Sequence, residues 1–224
     1  LGDALAMLGL RYGSAAACRL AAHVAETMRD AAYAASSELA AERGTFPRFD
    51  THRHLRAASF VDRLPAELRT RILVHGLRHS HLLAVAPAGS ISLALADNVS
   101  PGIEPVFAWR ARRQLRVATA DRAEASPTVV EDRARRLWRS LRGGDAPLPE
   151  AFVTAADLSI DAQLAVVAAA VPFIDGGISK TVRLAPEASA TQVAEALIRA
   201  WQAGLKGLAF FRPNPVTGAV FEPA

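Results

Sequence analysis

The stretch that decides the fold reads Val74-His75-Gly76-Leu77-Arg78-His79-Ser80-His81-Leu82-Leu83-Ala84-Val85-Ala86-Pro87-Ala88-Gly89-Ser90-Ile91-Ser92-Leu93. A short apolar run with β-branched members leads into a turn of small residues, which predicts a strand, a loop and a second strand over residues 79–95. A strand that delivers a glycine-containing loop with free N–H groups and a hydroxyl can hold a phosphate. The alternative is a purely structural turn. The predicted phosphate-binding residues are Pro87, Ala88, Gly89, Ser90 and Ile91.

Further motifs occur in a fixed order along the chain. They read Asn98-Val99-Ser100-Pro101-Gly102-Ile103-Glu104-Pro105-Val106-Phe107, Asp175-Gly176-Gly177-Ile178-Ser179-Lys180-Thr181-Val182, Ala200-Trp201-Gln202-Ala203-Gly204-Leu205-Lys206-Gly207 and Phe211-Arg212-Pro213. Near the start, Leu10-Arg11-Tyr12-Gly13 and Gly44-Thr45-Phe46-Pro47 precede them. The set resembles the motifs of vitamin B12-dependent (class II) ribonucleotide reductases. In that family a Gly-Leu-Arg-Asn-Ser strand runs into an Ala-Pro-Thr-Gly-Thr-Ile-Ser loop, which holds the phosphates of the substrate.

The resemblance implies the second half of the ten-stranded ribonucleotide reductase α/β barrel, which is built from two five-stranded halves. The sequence itself reads as helix-rich α/β, because its predicted helices outnumber the strands and alternate with them. A half barrel that stands alone exposes a strand edge and an apolar inner face. We therefore expect a homo-oligomer, or a complex with a chain that carries the missing barrel half.

The cysteine content limits the chemistry of the chain. In the family that it resembles, adenosylcobalamin begins a radical reaction that replaces the ribose 2′-hydroxyl by hydrogen. That reaction uses a thiyl radical in an Asn-x-Cys-x-Glu loop, two further cysteines and a C-terminal Cys-x-x-Cys. The single cysteine here, Cys18, matches none of these motifs, and one thiol cannot run a dithiol reduction. We expect no catalytic residue and no adenosylcobalamin bound to this chain alone, and we expect Cys18 to be a small core residue.

Two functions follow from the resemblance. The first is the C-terminal barrel portion of a B12-dependent reductase, an oxidoreductase relative that is inactive alone, contributes nucleotide-phosphate contacts and binds nucleoside di- or triphosphates weakly. The alternative is a non-catalytic nucleotide-binding or regulatory module, a pseudoenzyme on the same scaffold. The preserved order of the motifs favours the first. Departures from the family pattern favour the second, and they lie at His79, Ala88, Ser90, Arg183 and Ala185.

A second set of predicted ligand contacts lies in the Ile-Ser-Lys-Thr motif. Ser179, Lys180 and Thr181 offer one cation and two hydroxyls, which suit a phosphate group. The alternative is that Lys180 forms an ion pair with Asp175. Only Lys180 and Lys206 are lysines in a chain whose other basic residues are arginines.

The Gly-Ile-Glu-Pro motif places Glu104 as a further predicted ligand contact. The alternative is a carboxylate that holds a turn or pairs with an arginine such as Arg78. Among the histidines, His75, His79 and His81 lie close together, but Gly76 argues against the helix on which an i, i+4 pair would bind zinc. We predict no metal site.

Composition limits the remaining function classes. The chain has 224 residues, of which 51% are hydrophobic, and we predict one domain over residues 1–224 with a linker-like stretch near 143–149. The longest apolar run, residues 164–174, falls well short of the ~20 that a membrane helix needs. A net charge of +4 is too mild to indicate nucleic acid as a partner. The single cysteine favours a cytoplasmic location.

Helix signals divide the rest of the chain. Apolar residues recur about every four positions from Ser14 to Arg43 and predict a long amphipathic helix that Gly44 stops; they are Leu20, Val24, Met28, Ala31, Ala35 and Leu39. Further helices are predicted from Pro65 to about Leu73, over an arginine-rich stretch at 128–142, over 160–173, and from a Ser189–Gln192 capping box to Gln202. The run Leu205–Phe211 has the length of a strand.

Overall fold

A computed structural model describes residues 1–56, 59–96, 100–119, 122–144, 146–212 and 221–223. The helices in these ranges are α1 (Gly2–Met7), α2 (Ala15–Arg43), α3 (Thr51–His54), α4 (Ala66–His75), α5 (Gly89–Ala96), α6 (Arg133–Arg142), α7 (Ile160–Ala170) and α8 (Ala190–Gln202). The strands are β1 (Arg110–Thr119), β2 (Arg122–Glu131), β3 (Thr181–Arg183), β4 (Ala209–Phe211) and β5 (Phe221–Pro223). The chain is helix-rich α/β, as predicted, and its described ranges form no closed barrel.

The long helix α2 occurs where it was predicted, but it buries a different face. The Ser14 hydroxyl accepts a hydrogen bond from the N–H of Ala17, and Gly44, at φ 78°, ends the helix. The predicted apolar stripe is wrong, because Val24 is 40% and Met28 is 55% exposed. Small side chains at four-residue spacing form the buried face instead and let α2 pack closely on α7. The buried apolar residues of α2 are Ala17, Ala21, Ala25, Tyr33 and Ala40.

Three segments run side by side in the same direction, and we refer to them as the parallel sheet: residues 82–85, 177–183 and 209–211. Val85 forms a parallel bridge with Ile178. β3 pairs with β4 in parallel, with Val182 opposite Phe210. The strand predicted in 205–211 is therefore present in shorter form, whereas the first strand predicted within 79–95 is reduced to the single bridge at Val85.

The second strand predicted within 79–95 is wrong, because those residues form α5. The N–H of Ser92 donates to the carbonyl oxygen of Ala88 at 2.8 Å, which is the four-residue bond of a helix. Alanine and leucine, which dominate this segment, are strong helix formers. Periodicity alone does not distinguish a short apolar strand from a helical segment.

The arginine-rich helix predicted over 128–142 is correct only in its second part. β1 and β2 form an antiparallel hairpin in which Arg110 lies opposite Glu131, and β5 pairs with the other edge of β1. The carboxylate of Asp132 then caps α6 by accepting a hydrogen bond from the N–H of Ala134 at 2.8 Å. α6 ends at Gly143, where the predicted linker-like stretch begins.

The remaining predicted helices are confirmed with small changes of boundary. The Ser159 hydroxyl caps α7, which ends at Ala170 and continues as a 3-10 turn, Val171–Phe173. Ser189 and Gln192 form the predicted capping box of α8. No helix in the described ranges is both long enough and apolar enough to cross a membrane.

Three apolar clusters hold these elements together. The main cluster joins α2, α7 and β3, and its fully buried members include Val166, Val167 and Val182. The second packs α4 against α2 around Tyr33 and Ile72. The third joins α1 and α6 through Ala6, Val106, Trp109 and Ala134. The parallel sheet is therefore supported by α2 and α7 on one face.

A pair of buried carboxyl groups lies between α1 and α6. Asp3 is 4% and Asp132 is 0% exposed, and the carboxylate oxygens of Asp3 have no hydrogen-bond donor within the described residues. Burial, and after it the charge of Asp132, raises the pKa of Asp3 to about 7. The protonated form of Asp3 is therefore the one that fits this site.

We expect this carboxyl pair to make the stability of the protein depend on pH. Because the pKa of Asp3 is higher in the folded chain, the folded state retains a proton that the unfolded state loses, and the free energy of unfolding falls between about pH 4 and pH 7. Asp3→Asn should flatten that fall and stabilise the protein at about pH 8 by ~2–3 kcal/mol. Urea unfolding at about pH 5 and pH 8 measures this, with exposed Asp161→Asn as control. Equal pH slopes in wild type and Asp3→Asn would show that Asp3 ionises normally.

Candidate functional site

The loop Pro87–Ile91 lies where the parallel sheet ends and α5 begins. Immediately before it, Val85 donates its N–H to the carbonyl oxygen of Gly177 at 2.9 Å and accepts a hydrogen bond from the N–H of Ser179 at 2.9 Å. The loop thus leaves the sheet at the carboxyl end of a parallel segment, which is where open α/β sheets bind ligands. A Cβ placed on Gly89 would meet no atom within 4 Å. The space beside the first residue of α5 is therefore open.

A second helix also follows a strand of the parallel sheet. Val85 lies opposite Ile178, whereas β3 continues to Arg183, so the segment 184–189 leaves the sheet beyond the level of the loop. That segment leads directly into α8, which begins at Ala190. The first turns of α5 and α8 both carry the partial positive charge of a helix N-terminus.

The carboxylate of Asp175 holds together the segments from which the loop departs. It accepts a hydrogen bond from the Tyr33 hydroxyl at 2.8 Å. It also accepts backbone hydrogen bonds at 2.8, 2.7 and 2.8 Å from Leu82, Leu83 and Gly176. Burial acts to raise the pKa of Asp175, but these hydrogen bonds outweigh it and hold the pKa below its ordinary value. Asp175 therefore remains ionised and fixes the residues before the loop.

Two glycines allow the backbone segments around this site to approach each other closely. A Cβ on Gly176 would lie 2.7 Å from the carbonyl oxygen of Leu83. Gly102, at φ +57°, would place a Cβ 2.6 Å from the carbonyl oxygen of Ala86, immediately before the loop. Any larger residue at either position would push the loop away from its neighbours.

The ammonium group of Lys180 points into the protein. Lys180 is 1% exposed, and its Nζ donates to Glu104 Oε2 at 2.5 Å, to Gln163 Oε1 at 3.4 Å and to the carbonyl oxygen of Thr181. Burial lowers the pKa of Lys180, and the charge of Glu104 opposes that shift. The alternative pairing of Lys180 with Asp175 is wrong. All three donors of this ammonium are engaged by protein oxygens.

Glu104 is the partner of Lys180, and the alternative pairing with Arg78 is wrong. The Arg78 guanidinium instead donates to the carbonyl oxygens of Gly44 and Thr45 at 3.4 Å each. Besides Lys180, Glu104 accepts a hydrogen bond from the N–H of Thr181 at 2.6 Å. The Gly-Ile-Glu-Pro and Ile-Ser-Lys-Thr motifs are thus joined through one carboxylate.

Ser179 and Thr181 flank Lys180 along the chain. Successive residues of a strand point to opposite faces, and Thr181 is exposed while Lys180 is buried. The structure therefore brings the two predicted hydroxyl contacts onto the face of the sheet away from the main core.

The surroundings of the histidines and the cysteine bear on the possibility of a metal site. Within the described residues, no group of three or more His, Cys, Asp or Glu side chains is placed to hold a metal ion. His79 contacts the Ser36 hydroxyl at 3.1 Å, and burial, followed by the charge of His81, lowers the pKa of His54. Cys18 packs in part against the main core, and burial raises the pKa of its thiol.

Sequence reasoning missed the roles of Asp175, Tyr33 and Gln163. Asp175 was considered only as a partner for Lys180, and Tyr33 and Gln163 were read only as residues of predicted helices. A polar side chain on the buried face of a helix is a usable signal, because such a group needs a partner. The separation of Tyr33 from Asp175 by 142 residues left that partner unidentified.

Parallel strands covered by helices, with a helix-opening loop that follows one of them, define an α/β protein. The family model for the ribonucleotide reductase barrel domain matches residues 1–211. Vitamin B12-dependent ribonucleoside-diphosphate reductases from two strains of Mycobacterium tuberculosis are 30% identical over 239 residues, covering 100% of this chain and 32% and 31% of their own lengths. A ribonucleoside-diphosphate reductase large chain from Schizosaccharomyces pombe is 27% identical, covering 98% of this chain and 30% of its own length.

The chain therefore belongs to the ribonucleotide reductase barrel-domain family. It spans about a third of the length of the two Mycobacterium tuberculosis relatives, 32% and 31%. Its predicted resemblance to B12-dependent reductases is confirmed by the names of these relatives.

We expect the buried Lys180–Glu104 pair to be structural, and the second lysine offers a matched control. Lys180→Met leaves Glu104 without its counter-charge and should destabilise the chain by ~3–5 kcal/mol in urea unfolding. Lys206 is exposed and donates to the carbonyl oxygens of Asp175 and Gly176 at 2.6 Å each, so Lys206→Met should cost ~1 kcal/mol. The double variant Lys180→Met/Glu104→Gln should recover part of the loss. Equal stability of the two single variants would contradict the assignment.

Proposed function

We propose that the chain is the C-terminal barrel portion of a vitamin B12-dependent ribonucleotide reductase and that its loop Pro87–Ile91 contacts the phosphates of the nucleotide substrate. The observation that carries this proposal is the start of α5 at Gly89, directly after a parallel segment that ends near Val85. Backbone N–H groups at such a helix start are free to donate to phosphate oxygens, and the helix dipole adds to the attraction. The match to the barrel-domain family supports the same assignment.

The residues of the Ile-Ser-Lys-Thr motif take two different roles in this proposal. Thr181 is exposed and Ser179 half-buried, and their hydroxyls remain our predicted contacts to the ligand. Lys180 and Glu104 do not contact the ligand in this proposal, because their side chains bind each other. They hold the segment 179–181 in place. Their effect on a ligand is therefore one of positioning.

The relatives' names imply adenosylcobalamin. The described part of this chain does not contain the residues that its radical chemistry needs. When bound in an enzyme of this family, the cofactor supplies a radical that is passed to a protein thiol. Cys18 is the sole thiol, it lies on α2 against the main core, and its pKa is raised by burial. We assign no radical step to this chain and infer that the radical and redox cysteines come from other polypeptide.

Association with further polypeptide also explains the apolar surface. The outer face of α2 exposes Val24 and Met28, and α8 exposes Leu197 to 47%, Ile198 to 54% and Trp201 to 75%. Large exposed apolar side chains that cluster on one face mark interaction surfaces. We propose that the missing barrel half, or a second copy of this chain, covers these faces.

The alternative function, a non-catalytic nucleotide-binding or regulatory module, is favoured by the departures from the family pattern, one of which, Ala88, lies in the loop itself. Ala88 has no hydroxyl where the loops it resembles have threonine. The loss of one such donor costs ~1–3 kcal/mol of binding, which weakens a phosphate site without removing its backbone donors.

Nucleotide binding tests the loop directly. Nucleoside di- and triphosphates should bind with Kd of about 0.1–1 mM, or roughly −4 to −5.5 kcal/mol, as expected for a few phosphate contacts. Ser90→Ala should weaken binding several-fold, and Gly89→Val should weaken it more, because a side chain blocks the approach to the backbone. Ala88→Thr should tighten binding. Isothermal calorimetry measures each constant.

The matched control for the glycine variant is Gly144→Val, after α6, where a Cβ would meet only the Arg139 guanidinium at 3.5 Å. This substitution should leave nucleotide binding unchanged. If neither the native chain nor Ala88→Thr binds nucleotide, the loop is a structural turn, and a pseudoenzyme that does not bind nucleotide is favoured.

Enzyme assays test whether this chain can reduce ribonucleotides without other polypeptide. With adenosylcobalamin and a dithiol, the purified chain should reduce no ribonucleotide, because Cys18 is its single thiol and radical formation and reduction together need more than one. Turnover above background from this chain alone would overturn the proposed division of roles.

Sedimentation and the binding of an apolar dye test whether the exposed faces of α2 and α8 are interaction surfaces. At micromolar concentration we expect a species larger than the monomer, or a monomer that binds an apolar dye, because half a barrel leaves an edge and an apolar face open. A monomer that binds no dye would mean that the exposed side chains of α2 and α8 form no interaction surface.

A further inference from the structure

A cavity of about 540 Å³ opens between the segments 155–160 and 183–188. Leu158, Leu184 and Ala188 form its apolar walls, and Arg183 and Gln192 contribute its polar side. This volume lies within the range of sites that bind small molecules, as does a lining of apolar side chains with a few polar groups. The cavity is lined by residues other than those of the loop Pro87–Ile91.

The charge at this cavity comes from Arg183. Its guanidinium carbon lies 4.4 Å from the centroid of the Phe107 ring. The neighbouring Val106 accepts a hydrogen bond from the N–H of Ala155 at 2.8 Å, which sets the stacked pair beside the Ala155 wall. Each ion pair recorded in the described ranges involves a cation other than Arg183. Stacking therefore fixes this guanidinium in place without a carboxylate partner among those residues.

A second arginine lies beside the cavity. Arg212 donates to the carbonyl oxygen of Ala188, in the wall of the cavity, at 3.3 Å. Two nearby carboxylates are engaged elsewhere, since Asp157 binds Thr154 at 2.8 and 2.7 Å and Asp161 pairs with Arg199 at 2.9 Å. The remaining carboxylate of this wall, Glu187, is exposed to solvent.

The hydroxyls of Ser159 and Ser189 already cap α7 and α8. The anion-binding capacity of the cavity therefore rests on the arginine side chains.

We propose that this cavity binds a small organic oxyanion, a carboxylate or phosphate ester carried on a flat apolar body. The oxyanion pairs with the planar guanidinium of Arg183, whose fork of donors suits two oxygens at once. The apolar body lies against Leu158 and Leu184. This site goes beyond the proposed substrate-phosphate contacts and does not depend on them.

Phenyl phosphate and benzoate are the probes that test this site, with calorimetry on the intact chain as the measurement. Both should bind at least tenfold more tightly than benzyl alcohol, which lacks the anion, and than inorganic phosphate, which lacks the apolar body. Arg183→Gln should weaken both probes at least tenfold. Arg183→Lys should weaken them less, because it retains the charge and loses only the planar fork.

Three further variants separate this site from the loop and from misfolding. Arg43→Gln removes an exposed arginine at the end of α2 that does not line the cavity, and it should leave probe binding unchanged. Ala185→Trp, at an exposed position of the cavity wall, should block the probes without disturbing the core. Gly89→Val should weaken nucleotide binding and leave the probes unaffected.

Three results would overturn the proposal. They are equal binding of the probes to wild type and Arg183→Gln, binding of benzyl alcohol or inorganic phosphate as tight as that of the probes, and loss of probe binding in Gly89→Val. The last would assign the signal to the loop, so failure of this proposal and failure of the loop assignment remain distinguishable.

Discussion

The carboxylate of Asp175 is the constraint on which the candidate site depends. Parallel segments have no hairpin turn to set their register, so another interaction has to align residues 82–85 with 177–183. Asp175 does this because it accepts hydrogen bonds from the first segment, from Gly176 immediately before the second, and from α2. A one-residue slip between the segments would turn every side chain to the opposite face. The direction in which the loop Pro87–Ile91 leaves the sheet is therefore set by a residue that lies outside the loop. The four donors are Tyr33, Leu82, Leu83 and Gly176.

The same reasoning accounts for the two lysines in a chain rich in arginine. The Nζ of Lys180 reaches three acceptors that converge on one point, and the Nζ of Lys206 reaches two adjacent backbone carbonyls. A compact ammonium with rotatable donors suits such convergent oxygens, whereas the planar fork of arginine suits two parallel ones. A buried pair such as Lys180–Glu104 pays a desolvation cost. Its value here is that it joins two motifs into one structural unit.

The sequence was sufficient for features that depend on local chemistry. The Ser189–Gln192 capping box of α8 and the glycine end of α2 were both predicted correctly. The second strand over 79–95 was wrong because a short apolar run fits a strand and a helix equally. The prediction of the buried face of α2 was wrong, because close packing on α7 requires small alanine side chains rather than larger apolar ones. The Lys180–Glu104 and Tyr33–Asp175 contacts span 76 and 142 residues, and local patterns do not encode such distances.

The outward position of the larger apolar side chains of α2 limits how much burial stabilises this helix. Its inner face, built from alanines, buries little apolar area per residue, while the larger Val24 and Met28 face outward. Burial stabilises at roughly 25 cal/mol per Å², so the larger side chains contribute most when a second surface covers them. α8 repeats this arrangement, with buried Ala196 and Ala200 and an exposed Trp201. A helix that keeps small residues for its own core and large ones for its outer surface is expected in a piece of a larger barrel. We propose that polypeptide packed on the outer faces of α2 and α8 would stabilise these helices.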